Sequence, residues 1–305
     1  MNKVDLTVQI GRMKMKNPIM VASGTFGYGR EYAPVVDVDR LGAIVTKGVG
    51  VKEWQGNAYP RLVETPCGLL NAVGLQNPGV EYFIKNYMPF LQECDACVLV
   101  NVWGRTVSEY VEVASRLDEV RGVDGIELNV SCPNIKEGGM AFGADPDMLR
   151  TVVRKVRERV DSTLVVKLSP NVSDIGLVAR VCEEEGAEAV SLINSIPAMV
   201  IDTETRKPAL SNIVGGLSGS AIHPIATRMV WQASQAVDIP LIGMGGVTGW
   251  ESAIEMILAG ASAVAIGSAN FADPEVAVSS VKGIREYMER HGFGSVSDLC
   301  GAMLS

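Results

Sequence analysis

Residues 125–134 read GIELNVSCPN, and this stretch gives the clearest indication of the fold. Apolar and polar side chains alternate over residues 126–131, which is the pattern of a β-strand. A proline and the glycine-rich segment 136–143 (KEGGMAFG) follow, so the strand ends near Cys132 and leads into a loop. In repeating βα proteins, active sites form at the carboxyl ends of strands. A thiol there is suited to act as a base or nucleophile.

Short apolar runs of this kind recur along the chain and alternate with amphipathic, helix-like stretches. The runs are Ile19–Ser23, Ala43–Gly48, Cys97–Trp103, Gly125–Cys132, Leu164–Ser169, Ala189–Asn194, Pro240–Gly245 and Ala263–Gly267. The helical patterns include Val107–Val120, Pro146–Val160, Asp174–Glu185, Pro224–Ala236 and Trp250–Ala259. Strands alternating with helices indicate a parallel sheet. Eight such units predict an α/β fold of the (β/α)₈ TIM-barrel type.

Three segments fall outside the repeat. Residues 5–16 predict a small hairpin that turns near Gly11 and plugs the barrel floor. Residues 50–78 and 196–218 predict long excursions after the second and sixth strands, and long loops on that side of a barrel usually carry function. Because no linker or shift in composition is found, we expect residues 1–305 to form a single domain.

Composition excludes several classes of protein. The chain has 305 residues, a net charge of −8 and no basic cluster, so nucleic acid is not an expected partner. Neither a signal peptide nor an apolar run of membrane-spanning length is found. Six scattered cysteines do not form a disulfide framework. We therefore expect a cytoplasmic protein with reduced thiols.

Polar residues are concentrated where the predicted strands end. Lys47 and Lys167 lie in apolar strands, where an ammonium group is costly to bury unless it meets an anion or an acceptor. Asn101, Asn129 and Asn194 lie in neighbouring strands. Each amide offers both a donor and an acceptor, so this set is suited to hold a planar polar ring. Internal ion pairs and satisfied structural amides are the alternative interpretations of these side chains.

The last two strands end in glycine-rich turns, Gly245-Gly246 and Gly267-Ser268. In barrels such turns commonly bind phosphate through backbone N–H groups. The segment GMGGVTG (243–249) lacks the G-x-G-x-x-G spacing and comes late in the repeat, which argues against a Rossmann dinucleotide site.

The pair Cys94 and Cys97 does not predict a metal centre, because no second cysteine pair or histidine cluster accompanies it. His223 and His291 are the only histidines of the chain, which disfavours a histidine-based metal site or a Ser-His-Asp triad. We expect the two thiols to be packed and no metal to be bound.

Taken together, these motifs resemble those of the class 1 dihydroorotate dehydrogenases, specifically the 1B type. The resemblance spans nearly the whole chain, and its most specific element is the combination of NAVGLQNPG with NVSCPN. The motifs are ASGTFGYG (22–29), TKGV (46–49), NAVGLQNPG (71–79), NVSCPN (129–134), VKLSPN (166–171), GGLSG (215–219) and GMGGV (243–247), with the Gly267 turn.

The resemblance implies an FMN at the top of the barrel and dihydroorotate stacked on the flavin ring. The residues implied to contact FMN are Ser23, Lys47, Gly48, Asn101, Asn129, Lys167, Ile193, Gly219, Gly245, Gly246, Gly267 and Ser268. Those implied to hold the substrate are Lys47, Asn71, Ala72, Val73, Gly74, Leu75, Asn129, Asn194 and Ser195. The family often has threonine at positions 195 and 268, and serine keeps the hydroxyl at both.

By the same resemblance, Cys132 is the catalytic base and Lys47 the second catalytic residue. Oxidation of dihydroorotate to orotate, a step of pyrimidine biosynthesis, removes a proton from C5 and a hydride from C6. The hydride needs an acceptor that no side chain provides, so the flavin is expected to take it. The proton needs a base on the other side of the substrate, and the loop 133–145 is expected to act as a lid that excludes water. A cationic Lys47 would favour the anionic charge that develops.

The resemblance also implies a partner. The chain contains neither a convincing nicotinamide-binding unit nor a four-cysteine cluster. The 1B type uses a separate subunit with FAD and a [2Fe-2S] cluster that passes electrons to NAD⁺, in a heterotetramer of two catalytic and two electron-transfer chains. A homodimer of this chain is therefore expected. The membrane-associated, quinone-linked class 2 is disfavoured, because no membrane-associating N-terminal extension is seen and that class uses serine where Cys132 stands.

Three alternatives remain open from the sequence. A dihydropyrimidine dehydrogenase shares the flavin barrel and a cysteine acid, and a fumarate-linked class 1A enzyme is also similar; the motifs FGYG and QNPG favour 1B. A non-redox phosphate-binding barrel, an isomerase or an aldolase, would use Lys167 as a Schiff-base lysine and the Gly245 turn for substrate phosphate.

We predict that Cys132→Ser retains FMN but loses most turnover near neutral pH, because a hydroxyl is a far weaker acid than a thiol. Flavin absorbance of the purified variant measures retention, and steady-state turnover measures the loss. Near-normal turnover would contradict the assignment of Cys132 as the base.

Overall fold

Eight parallel strands close into a barrel in which neighbours along the chain are also neighbours in space, and the last strand pairs with the first. This computed structural model describes residues 4–131, 143 and 145–304. Along the chain, its strands are β1 (Val8–Ile10), β2 (Met13–Met15), β3 (Ile19–Val21), β4 (Ala43–Val45), β5 (Glu53–Trp54), β6 (Leu62–Thr65), β7 (Gly68–Asn71), β8 (Asn77–Pro78), β9 (Cys97–Val102), β10 (Gly125–Asn129), β11 (Thr163–Lys167), β12 (Ala189–Leu192), β13 (Ile196–Ala198), β14 (Ile201–Asp202), β15 (Lys207–Pro208), β16 (Gly215–Ser218), β17 (Leu241–Met244) and β18 (Ala263–Ile266).

Helices cover the outside of the barrel. They are α1 (Val80–Asn86), α2 (Met88–Leu91), α3 (Val107–Asp118), α4 (Pro146–Arg157), α5 (Ile175–Glu184), α6 (His223–Ser234), α7 (Trp250–Leu258), α8 (Ala269–Ala272), α9 (Val276–His291) and α10 (Val296–Leu299). Short 3₁₀ turns occupy Val38–Arg40 and Ser220–Ile222.

The predicted TIM barrel is confirmed. Its strands β3, β4, β9, β10, β11, β12, β17 and β18 lie within or overlap the eight apolar runs. They are buried on both faces, as expected for parallel strands between a filled interior and a helical layer. The predicted helices are also found, although α3, α4 and α6 end two or three residues before the predicted bounds, at Asp118, Arg157 and Ser234.

Local capping explains where three of the helices begin. Thr106 accepts a hydrogen bond from the Glu109 N–H before α3, and Asp174 accepts one from the Leu177 N–H before α5. Asp145 accepts from two backbone N–H groups before α4, whose first residue is a proline. Such caps satisfy N–H groups that have no partner within the helix.

The N-terminal hairpin closes the floor of the barrel, as predicted. Strands β1 and β2 are antiparallel and turn through Gly11. The Arg12 N–H donates to Thr163 Oγ1 over 2.9 Å, and Cys97 Sγ lies 3.5 Å from the Lys14 carbonyl oxygen. Thr163 and Cys97 are the first residues of their strands, so the hairpin lies against the amino ends and leaves the carboxyl ends accessible.

The two long excursions form one common structure. Strands β6 and β7 of the first excursion join β13 and β16 of the second in a four-stranded antiparallel sheet with the order β13-β16-β7-β6. This sheet has its own small core of Leu70, Ala72 and Leu210. The sequence indicated two excursions, but nothing in it indicated that they pair with each other.

Within the described residues, no helix is both long enough and apolar enough to cross a membrane.

We predict that Gly283→Ala destabilises the protein, although alanine is favoured over glycine inside a helix by about 1 kcal/mol. A Cβ at Gly283 would lie 2.2 Å from Cγ of Trp250, where α9 packs on α7. Overpacking of this kind costs about 1–3 kcal/mol, so the net change in the free energy of unfolding is expected to be a loss. Chemical unfolding measures it.

The matched control is Ser279→Ala, which makes the same residue at an exposed position of the same helix. It should change the free energy of unfolding by less than about 0.5 kcal/mol. A Gly283→Ala variant as stable as this control would show that the α7–α9 contact relaxes without cost.

Candidate active site

A cavity of about 290 Å³ opens at the carboxyl ends of the barrel strands. Its floor is formed by the strand ends, and the sheet formed by the two excursions supplies Leu62, Leu69, Asn71 and Ser218 to its wall. The position agrees with the expectation for a TIM barrel, in which loops at this end build the binding site.

The structure brings nearly all of the predicted site residues together in this one cavity. Every residue predicted to contact FMN lines it, from Ser23 and Lys47 to Gly267 and Ser268. The predicted substrate residues that also line it, besides Lys47 and Asn129, are Asn71, Val73, Gly74, Leu75, Asn194 and Ser195.

Of the predicted site residues that the structure describes, Ala72 is not on the cavity wall. Ala72 is only 1% exposed, and its side chain packs in the small core beside Leu70 and Leu210. Neighbouring residues of an extended strand point to opposite faces, so Ala72 turns inward where Asn71 and Val73 turn to the cavity. Cys132 and most of the predicted lid 133–145 lie outside the described residues, so their predicted roles stay predictions.

A fully buried carboxyl group, that of Glu127 on β10, lies inside the barrel. Its Oε1 accepts a hydrogen bond of 2.5 Å from Nδ2 of Asn101 on β9, and its Oε2 accepts one of 2.9 Å from Oγ of Ser191 on β12. Asn101 thus turns its NH₂ group to Glu127 and its carbonyl oxygen to Asn129.

The orientation of Asn101 also determines the orientation of the amides that follow it in the hydrogen-bond network. Asn129 Nδ2 donates to Asn101 Oδ1 over 3.5 Å, and Asn129 Oδ1 accepts from Ser131 Oγ over 2.9 Å. Asn194 Nδ2 then donates to Ser131 Oγ over 2.6 Å. The Tyr110 hydroxyl donates to the Asn129 carbonyl oxygen over 2.7 Å. The donor and acceptor directions of Asn101, Asn129 and Asn194 are therefore set by one connected network.

Two lysines add positive charge. Lys167 is 5% exposed, and its Nζ donates to Ser23 Oγ over 3.0 Å. Burial lowers the pKa of Lys47, the nearby Arg61 lowers it further, and Glu31 partly opposes both. Within the described part of the chain, Lys47 Nζ has neither a hydrogen-bond acceptor nor an ion-pair partner. Its charge is therefore available to an anionic group in the cavity.

The loop 71–79 is held by polar contacts rather than by packing alone. Arg61 contacts Gln76 Oε1 over 2.5 Å, and Asn57 Nδ2 donates to the Ala72 carbonyl oxygen over 2.9 Å. Asn77 Oδ1 accepts from the Gly50 and Gly79 N–H groups, while its Nδ2 donates to the Leu75 carbonyl oxygen. These contacts explain how the cavity-facing residues of this motif keep a defined shape.

Several cavity residues were missed by the sequence analysis. Thr25, Gln76 and Ser218 lie inside motifs quoted for the family resemblance, so those motifs could have indicated them. Leu62, Leu69 and Phe271 lie in no such motif, and only the tertiary structure brings them to the cavity.

The pair Cys94 and Cys97 consists of free thiols, and burial raises the pKa of each to about 11. Both are protonated at neutral pH, which agrees with a packing role.

Comparison with known proteins identifies the family. Residues 5–288 match the family described as Dihydroorotate dehydrogenase. The chain belongs to this family. The match covers the whole barrel and both excursions, so the resemblance seen in the sequence motifs is confirmed.

Curated relatives match over nearly their full length. A protein of Bacteroides fragilis is 51% identical over 299 residues, which covers 98% of this chain and 99% of the relative. One of Pelobacter propionicus is 52% identical over 301 residues, covering 99% of each. One of Geotalea uraniireducens is 48% identical over the full length of both chains. Each is named "Dihydroorotate dehydrogenase B (NAD(+)), catalytic subunit".

We predict that Glu127→Leu lowers the free energy of unfolding by about 3 kcal/mol, because it leaves the donors of Asn101 and Ser191 buried without partners. Glu127→Gln should cost less, about 1 kcal/mol, since its amide still offers an acceptor to Asn101 and a donor to Ser191. Chemical unfolding measures both variants.

Glu286→Leu is the control, because Glu286 forms an exposed i,i+4 pair with Lys282 on the surface. Its effect should stay within about 0.5 kcal/mol. A Glu127→Leu variant no less stable than this control would mean that the buried network contributes nothing to folding.

Proposed function

We propose that this chain is the FMN-containing catalytic chain of an NAD⁺-linked dihydroorotate dehydrogenase, which oxidises dihydroorotate to orotate in pyrimidine biosynthesis. The observation that carries the proposal is the convergence of the predicted cofactor and substrate residues on one cavity of a family member. The printed names of relatives about 50% identical over nearly the whole chain support the same reaction.

The cavity has the features that an FMN would need. Gly245 and Gly246 have φ angles of +125° and +68°, and a Cβ at Gly246 would lie 2.7 Å from both Gly219 O and His223 Cβ. A side chain at either position would clash with the protein around the turn, so glycine is needed for the backbone shape that lets the turn bind a phosphate. Lys167 and the amides of Asn101 and Asn129 supply donors and acceptors for a polar ring edge. When bound, FMN supplies the hydride-accepting chemistry that side chains lack.

The substrate residues suit a flat, anionic pyrimidine. Lys47 offers an ammonium group with no partner among the described residues, which fits a ligand carboxylate or developing negative charge. Asn71 lies on the sheet formed by the excursions and Asn194 follows β12, and both line the cavity. Such amides can hold the N–H and C=O groups of the ring at a fixed angle. The proposed base, Cys132, directly follows Ser131 of the cavity network.

A partner subunit belongs to the proposal. The relatives are named catalytic subunits of an NAD(+) enzyme, which supports a second chain that passes electrons on to NAD⁺. We propose that this partner carries FAD and a [2Fe-2S] cluster, in a heterotetramer of two plus two chains built on a homodimer of this one. We also propose that residues 1–305 form a single domain and that the protein is cytoplasmic.

The alternative functions are less well supported. A fumarate-linked or pyrimidine-reducing enzyme would agree with the flavin site but not with the names of the relatives. A Schiff-base aldolase would need Lys167 to face a substrate, whereas its Nζ is engaged with Ser23.

An anaerobic titration tests the proposal. The chain is purified alone, its visible spectrum is recorded, and dihydroorotate is added without any electron acceptor. We expect a yellow protein whose flavin band at about 450 nm bleaches when dihydroorotate is added. A yellow protein that does not bleach would point to another substrate, to be sought among uracil-type pyrimidines. A protein that stays colourless after addition of FMN would overturn the flavin function.

A pair of variants and an addition of NAD⁺ make the titration more specific. Cys67→Ser, which changes an exposed thiol outside the cavity lining, should bleach like the unmodified chain, whereas Cys132→Ser should keep its colour and bleach slowly. Once bleached, the chain alone should stay bleached when NAD⁺ is added, because the proposed route to NAD⁺ runs through the partner. Rapid return of the flavin band would contradict the need for that partner.

A further inference from the structure

His223, the first residue of α6, contacts the Gly245-Gly246 turn on the side that faces away from the cavity. Its Nδ1 lies 3.1 Å from the carbonyl oxygen of Gly245. A carbonyl oxygen only accepts hydrogen bonds, so Nδ1 is the donor. The imidazole is largely buried and does not line the cavity, whereas Gly245 and Gly246 do.

The direction of this hydrogen bond determines where the next N–H group points. In a trans peptide, the carbonyl oxygen and the following N–H group point in opposite directions. With the Gly245 carbonyl oxygen held by His223 behind the wall, the Gly246 N–H is directed to the cavity side. Among the described residues, this N–H group has no hydrogen-bond acceptor, so it is available to a ligand.

The ring of His223 is itself fixed by its surroundings. Its Nε2 lies 3.1 Å from Oε2 of Glu255 on α7 and 3.4 Å from Oγ1 of Thr227, one turn further along α6. The Thr227 hydroxyl donates to the His223 carbonyl oxygen over 3.0 Å, so Thr227 and Glu255 can only accept from Nε2. These two contacts are hydrogen bonds in the imidazolium form, in which both ring nitrogens carry a proton. The ring lies between these groups and Gly245, with Nδ1 facing the Gly245 carbonyl oxygen.

The second glycine turn has a similar arrangement. Asn270, which is fully buried, donates from Nδ2 to the carbonyl oxygens of Ile266 and Gly267, each over 2.9 Å. The Gly267 carbonyl is thereby held at α8, and the Ser268 N–H that follows it points the other way. Both turns therefore have a side chain that holds a carbonyl oxygen in place.

We propose that His223 is a positioning residue for the phosphate end of the cofactor: by holding the Gly245 carbonyl, it aims the Gly246 N–H at a bound phosphomonoester. This inference rests on the proposed flavin function. It assigns a role to one of the two histidines, neither of which the reaction itself uses.

The test compares FMN with riboflavin, which differs only in lacking the phosphate. Affinities of both are measured on the full chain freed of flavin, by quenching of flavin fluorescence. His223→Asn places an amide NH₂ near the position of Nδ1 and should keep the preference for FMN over riboflavin within about twofold. His223→Gln carries its NH₂ one bond further, towards Glu255, and should lower that preference about tenfold.

A general loss of structure would weaken both flavins equally, so only the change in their ratio supports the role. An unchanged ratio in His223→Gln, or equal losses in both variants, would overturn it. If His223→Gln fails to fold, the ratio is measured for Glu255→Leu, a surface variant that removes the group orienting Nε2. A drop of about threefold is expected, and no change counts against the proposal.

The unmodified chain separates the two proposals. If it binds neither flavin, the proposed function fails. If it binds FMN and riboflavin equally well, the flavin function stands, but the positioning role of His223 is overturned.

Discussion

Closing eight parallel strands into a barrel brings all of their carboxyl ends into one ring, because every strand runs in the same direction. Residues far apart in the chain, such as Ser23 and Lys167, thereby come within 3.0 Å. The N-terminal hairpin lies against the opposite, amino ends of the strands. The binding cavity and the contacts described around it depend on this closure.

Inside the barrel, the burial of Glu127 imposes a second constraint. A buried carboxyl group must be hydrogen-bonded, and its donors are Asn101 on the neighbouring strand β9 and Ser191 on β12, two strands away. Once Asn101 is oriented, Asn129, Ser131 and Asn194 follow in one chain of hydrogen bonds. A buried group of the barrel interior therefore also determines which amide atoms face the cavity.

The outer wall of the cavity has a different origin. It is built by two excursions that have little core of their own and become a sheet only by pairing with each other. Polar contacts from Arg61, Asn57 and Asn77 hold the loop beside this sheet. Cavity-lining residues such as Asn71 and Ser195 thus lie on a wall that is less buried than the barrel beneath it, as loops that carry function commonly are.

Sequence alone determined the barrel, the hairpin at its floor and the residues at the strand ends, because strand and helix periodicity and glycine turns are local properties of the chain. Through the family resemblance, its motifs also predicted a set of cofactor residues, and all of these line one cavity because barrel closure makes the strand ends converge. The pairing of the excursions, the inward turn of Ala72 and the contacts of Glu127 and His223 were decided only by tertiary structure. Those features depend on contacts between distant segments, and no local pattern in either segment encodes its partner.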